Sequence, residues 1–295
     1  MGIDYTGQPI KIQTEGLAGG LKMKWINKYL FVYKTQIIRS FTYKYDVYGN
    51  IIMQTIIMIT SAFFWRALYG FDISKPYGDV MVNGVRLEDM LTYIIMSSVL
   101  SVLLSTNVER RIESSVRNGS ISTDMMKPLN IFGIYLSEDL GRITALIFQN
   151  ILPILIIGSL FIKVPAMSDL TRLPRFCISM MLSFGINWLL AALFGMWAFT
   201  AIDVDALIQV KKHLLRLLSG SIIPLWFFPD WFANILKALP FAYIYQLPLD
   251  IYIGKSSDAE VLQMMTIQAI WLVVLGLAFF IVSKRATRKI MIQGG

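Results

Sequence analysis

His213 is the chain's single histidine and Cys177 its single cysteine. A multi-histidine metal centre and an internal disulfide are therefore both impossible within one copy. His213 stands beside Lys211 and Lys212 and reads as the solvated start of a helix. No G-x-x-x-x-G-K-[ST] loop is present to cradle nucleotide phosphates, and no G-x-S-x-G elbow to present a nucleophilic serine. Glu138 and Asp139 precede an apolar run, where a helix N-terminus would favour negative charge. Proton-coupled chemistry wants a carboxylate deep inside an apolar segment. None falls within 51–65, 91–108, 143–162, 176–200 or 264–282. The side chains thus offer no catalytic residues, no cofactor site and no metal site.

The segments around these residues explain why. Of 295 residues, 56% are hydrophobic and only 16% charged, and mean hydropathy is +0.59; an ordinary soluble domain is about 25% charged. A membrane helix needs about 20 apolar residues. Six stretches are candidates: 47–65, 90–108, 143–162, 176–200, 207–228 and 264–282. The fifth is the weakest, because Lys211, Lys212, His213 and Arg216 occupy its first half. A Lys or Arg at mid-bilayer costs ~2.5–3.5 kcal/mol on insertion scales, so these side chains are read as snorkelling toward the cytoplasm. The expected fold is an all-α polytopic membrane protein with six transmembrane helices.

Charge sets the orientation. With both termini inside, 19 of the 27 Lys and Arg residues fall on the cytoplasmic side. The net charge of +8 follows from that bias and forms no patch for nucleic acid. Residues 1–46 divide into a polar, Gly-rich tail and a basic amphipathic helix at 22–44, either lying at the membrane interface or packed on another surface. Residues 47–283 form the membrane domain and 284–295 a basic cytoplasmic tail. Within the membrane domain, 109–130 is a charged island between spans two and three. Residues 229–261 are apolar and aromatic but broken by Pro229, Pro240 and Pro248. They read as short helices re-entering the outer leaflet, or as an amphipathic surface loop.

Polar residues inside the spans are the clues to a path. Ser97, Ser101 and Ser105 repeat at i, i+4 and i+8, and Asn150, Gln149 and Asn187 are further candidates. Ala191 and Gly195 form a small-xxx-small pair suited to close helix packing, within the chain or with a second subunit.

Three stretches carry a family resemblance: VRNGSISTDMMKPLN in the island, SGSIIPLWFFPDWFANILKALPFAYIYQLPLDIYIGK after span five, and QAIW followed by a basic tail ending in IQGG. Through these the chain resembles the permease subunits of type-2 ABC transporters, in a six-span export family, over nearly all of its length after about residue 22. The charged start of span five departs from the pattern.

The resemblance implies two paired permeases, a related second chain more than an identical copy, and two ATPase subunits that bind ATP and magnesium. It implies a coupling helix near Val108–Ser120, with Glu109, Arg110, Glu113, Arg117, Asn118 and Gly119 at the ATPase contact. It also implies an outer element capping the exit side, in which Pro229, Trp231, Pro240 and Phe241 stand out. The function expected is substrate export across the cell membrane, amid membrane lipid; the alternative is a channel or scaffold without ATP coupling.

Overall fold

The computed structural model describes residues 25–42, 44–70, 81–82, 84–125, 129–161, 167, 169–199 and 205–293. The expected tail over the first twenty residues, Asp79 and Lys127 lie outside the described residues. The described chain is helical except for a two-residue hairpin, β1 (Met81–Val82) with β2 (Val85–Arg86), turned by Gly84 at φ 71°.

Among the described residues, five stretches are long and apolar enough to cross a membrane: Ile51–Leu68, Leu87–Arg117, Ile131–Ser159, Leu170–Phe199 and Asp258–Ala286. In elements, α1 (Trp25–Thr42) precedes α2 (Lys44–Leu68). After the hairpin come α3 (Leu87–Leu103), α4 (Val108–Arg117) and α5 (Ser120–Met125). Next, α6 (Ile131–Leu146) continues through a π-turn (Ile147–Ile151) into α7 (Leu152–Phe161). Last are α8 (Leu173–Gly195), α9 (Asp205–Leu218), α10 (Asp230–Ala238), α11 (Gln246–Ile253) and α12 (Asp258–Gln293).

Two expectations change. The expected fifth span is not one helix: α9 has 14 residues and stops at Ser219–Gly220, with Gly220 at φ 84°. At about 1.5 Å per residue it is too short to cross a hydrocarbon layer of about 30 Å alone. The third membrane helix starts at Ile131 and not at Ile143, because the Asn130 carboxamide caps it, accepting from Phe132 N at 2.9 Å. Glu138 and Asp139 therefore lie two turns inside α6, where a helix N-terminus no longer accounts for them.

The N-terminal helix does not stand apart. One face of α1 runs alongside α6: Asn130 N donates to Tyr29 Oη, Tyr33 Oη meets Thr144 Oγ1 at 3.0 Å, and Gln149 Nε2 donates to the Ser40 carbonyl. Gly141 allows the approach, since a Cβ there would lie 2.5 Å from the Tyr33 carbonyl oxygen. At the other end of the chain, fully buried Gln268 on α12 donates to the Ser179 and Tyr243 carbonyls and to Ser183 Oγ, tying α12 to α8.

The three prolines of the 229–261 segment fall at the starts of its helical pieces. Pro229 immediately precedes α10, and buried Pro240 opens a 3₁₀ turn (Pro240–Tyr243) with half-buried Phe241 beside it. Pro248 falls in the first turn of α11, where a missing N–H costs nothing. Trp231 on α10 is exposed.

Candidate functional site

The short helix α4 (VERRIESSVR) is amphipathic, and its two faces have separate tasks. Val108 and Ile112 sit in a small core of their own with Ile131 and Tyr135 of α6 and Trp188, Ala191 and Ala192 of α8. Gly195 sets the closest approach: a Cβ there would come within 2.7 Å of Glu109 Cα. The Ala191–Gly195 pair thus packs against α4 inside the chain, so it is not the contact for a second subunit that it could have been.

Charges complete the clamp. Glu109, 1% exposed, is bound by Lys211 Nζ of α9 at 2.8 Å, with Lys211 4% exposed. Asp139 Oδ1 accepts from Asn107 N, the N-cap of α4, at 2.9 Å and from Arg142 Nη2 at 3.2 Å. Arg142 also grips the α3–α4 turn through the Ser105 carbonyl (2.8 Å) and Ser105 Oγ. Arg111 reaches Glu138 at 3.3 Å, and Tyr135 Oη donates to Ser115 Oγ. The acidic pair on α6 therefore orients α4. Gly119, at φ 71°, follows the helix and donates to Val116 O.

Of the six expected contact residues, Arg110, Arg117, Asn118 and Gly119 are exposed. Glu109 and Glu113 are not: Glu109 is spent on Lys211, and Glu113, 9% exposed, turns in and pairs with Arg117 at 2.9 Å. Arg117 also lies 3.9 Å from Asp205 at the start of α9. What α4 offers outward is a basic strip, Arg110, Arg111 and Arg117, on a helix fixed to α6, α8 and α9. A polar cavity of about 400 Å³, lined by Arg39 of α1, Arg111, Glu138 and Arg142 among others, lies beside it.

The path candidates separate. Ser97 and Ser101 line one cleft, and Ser97 Oγ donates to the Ser221 carbonyl at 2.6 Å. Ser105 belongs to the α4 clamp. Asn187 is a strut, its amide donating to the Leu104 carbonyl at 2.6 Å where α3 ends. Asn150 is buried in the π-turn, its Oδ1 without a protein partner.

A second polar knot holds the other end. Tyr93 Oη of α3 donates to the Gly220 carbonyl at 2.6 Å and lies 3.0 Å from Gln246 Oε1, which also accepts from Leu225 N. Gln246 N donates to the Ser219 carbonyl, and Nε2 to Asp250 Oδ1 at 2.8 Å. Burial pushes the Asp250 carboxyl up to about 8. A cavity of about 690 Å³ opens beside it, lined by Trp226, Tyr243, Lys237, Lys255 and Asp250 among others, with Lys255 Nζ 4.4 Å from the Trp226 ring centroid.

The sequence marks Gly195 for close packing and Asp139 as one of an acidic pair, but not what they meet; the role of Arg142 and the pairing of Lys211 escape it, because Ser105, Asn107 and Glu109 are distant along the chain.

Helices of this length and apolarity, one after another, define a multi-pass membrane protein. A family model described as "ABC-2 family transporter protein" matches residues 55–294, and the chain belongs to that family. It is the membrane-embedded permease of a type-2 ABC transporter, a subunit distinct from the ATPase with which such permeases work. Neither a curated protein nor a solved structure matches the chain.

Proposed function

We propose that this chain is the translocation subunit of an ATP-driven exporter in the cell membrane, and that α4 is its coupling helix. The observation that carries the reading is the clamp on α4: a helix fixed by buried charges on one face and bare and basic on the other suits a partner that pushes it. The partner is a pair of ATPase subunits, which hold the ATP and magnesium. The basic strip meets acidic groups on them, and Glu109–Lys211 carries displacement of α4 into α9. A second, related permease completes the path; a homodimer is the alternative arrangement.

The reading includes six crossings with both termini cytoplasmic. Asp205 starts α9 beside Arg117, at the α4 end of the molecule. The chain next reaches Ser256, whose carbonyl accepts from Arg172 ahead of α8, and Asp258, which pairs with Arg175 at 2.7 Å. Arg172 and Arg175 sit at the end of α8 away from α4. Residues 205–257 thus pass from one end to the other, with α9 as the inner part of the crossing and α10–α11 as an outer cap.

Two measurements test this. Replacing Arg110 and Arg117 together by Glu should leave the subunit inserted and abolish co-purification of the ATPase. Full retention of a stimulated ATPase by that variant would overturn the docking assignment. In a Cys177→Ser background, a cysteine at Ser257 should react with an impermeant thiol reagent on intact cells, and one at Ser120 should not. Labelling at 120 would overturn the topology.

A further inference from the structure

A cleft lies between α2, α3 and the end of α9, lined by Gln54, Ser61, Ser97, Ser101, Arg216 and Tyr245 among others. Ser97 lies about 15 Å along α3, at 1.5 Å per residue, so the cleft is near mid-depth of that membrane helix. Arg216 is the unusual member. It is exposed, in the last turn of α9, and makes no ion pair among the described residues. No carboxylate among the described residues lines the cleft with it. Arg216 and Tyr245 line the same opening. The snorkelling expected from the sequence does not describe it, since α9 carries Arg216 away from the α4 end, to the level of Ser97 and Ser221.

Arg216 is the last of a series. Arg110 adjoins Glu109 and Lys212 adjoins Lys211, the ion pair that joins α4 to α9, and Arg216 lies one turn beyond Lys212. The nearby acids are engaged, Glu109 by Lys211 and Asp205 by Arg117. An uncompensated cation inside a membrane protein faces a wetted path or a ligand of opposite sign. Ser97 and Ser101 already donate to the Ser221 and Ser98 carbonyls, which leaves the Gln54 amide and the Ser61 hydroxyl as neutral donors beside it, with no competing charge.

We propose that this cleft is the part of the translocation path that recognises substrate, and that the substrate carries an oxyanion, a carboxylate, phosphate or sulfonate, which Arg216 binds while Gln54 and Ser61 hydrogen-bond to it. The series Arg110, Lys212, Arg216 leads such an anion from the inner face to mid-depth. The inference rests on the transporter reading above, and names the substrate class for it.

The test reads local potential directly and needs no known substrate. Ser101→Cys is made in a Cys177→Ser background, and the complex is purified through a tag on this chain into lipid nanodiscs. Rates of reaction with a sulfonatoethyl and a trimethylammonium-ethyl methanethiosulfonate are each divided by their rates with 2-mercaptoethanol. The anionic reagent should be preferred on the order of tenfold, as one nearby charge in a poorly screened site gives. The preference should shrink in high salt, vanish in Arg216→Gln and persist in Arg216→Lys. No reaction with either reagent, a cationic preference, or a preference unchanged in both high salt and Arg216→Gln would each overturn the proposal. The salt series keeps the test decisive even where Arg216→Gln does not fold. Absence of an ATPase from the purified complex would instead sink the transporter reading, and the thiol rates would still be read.

Discussion

Two short helical pieces, α4 at one end of the molecule and the 219–253 segment at the other, are each held by buried polar groups, yet by opposite means. Ions hold α4: Glu109 with Lys211, Asp139 with Arg142, Arg111 with Glu138. Neutral groups hold the outer segment: the Tyr93 hydroxyl, the Gln246 amide and the Ser219 and Gly220 carbonyls. Their free faces differ in the same sense. Helix α4 shows arginines, whereas α10 shows Trp231 and Ile235. A buried ion pair resists the loss of either member far more than it adds stability, and it fixes orientation. Neutral networks hold a shape without a long-range field. The contrast sets a helix oriented by buried charge against a segment held in shape without one.

The sharpest way to break the comparison is Lys211→Met, which strands Glu109. It should cost about 3–5 kcal/mol, seen as a large drop in thermal unfolding temperature. Glu109→Gln with Lys211→Met should recover most of that loss while ATP-dependent transport stays low. A single variant as stable as the parent would mean the pair is not the clamp. On the neutral side, Gly220→Ala meets two penalties: a left-handed backbone, and a Cβ 2.5 Å from Gln246 Oε1. A loss of about 2–4 kcal/mol is expected, and unlike that of Lys211→Met it should not be recovered by Glu109→Gln. Recovery of both by Glu109→Gln would erase the distinction.

Gly195→Ala should cost about 1–3 kcal/mol by overpacking. It moves α4 off α8, so its larger effect is on ATPase stimulation, measured on the purified complex; unchanged stimulation would show that the seat of α4 is not critical.

The last effect is one of pH, and it probes the neutral knot. The folded Asp250 carboxyl, at about 8, lies above its ordinary 3.8. As pH rises the unfolded chain loses this proton first, so this contribution to stability is fully present below about pH 4 and is lost as pH approaches 8. Asp250→Asn, which still offers an oxygen to Gln246, should flatten that slope and raise the unfolding temperature at pH 8 by roughly 2–4 °C for each kcal/mol removed. Identical slopes in parent and variant would show that the carboxyl is ionised in its knot.

Apolar runs made most of the fold legible, since hydrocarbon demands length and continuity. They failed where charge is satisfied from afar. Glu138 and Asp139 look like the charged start of a helix in sequence, but Arg111 and Asn107 receive them, as Ser105 receives Arg142, and α6 begins twelve residues earlier than its apolar run. The fifth stretch is weak for the charges in its first half, and its helix stops where Gly220 turns the chain toward Gln246. At the site, the charge of α4 was readable and its facing was not. Glu109 and Lys211 lie 102 positions apart, and no periodicity connects them. Asn187 shows the converse: a polar residue in a span can be a strut for a helix end as easily as a path lining.

The α6–α7 rod, Ile131–Ser159, has 29 residues and so is about 43 Å long, some 13 Å more than the hydrocarbon it must cross. Its surplus hangs on the side where α4 is bolted to Tyr135, Glu138 and Asp139. A sideways load on α4 therefore reaches the bilayer as a bending moment and not as a piston stroke. The π-turn at Ile147–Ile151, with its wider hydrogen-bond loop, lies just above the bolts, where such a rod would flex first.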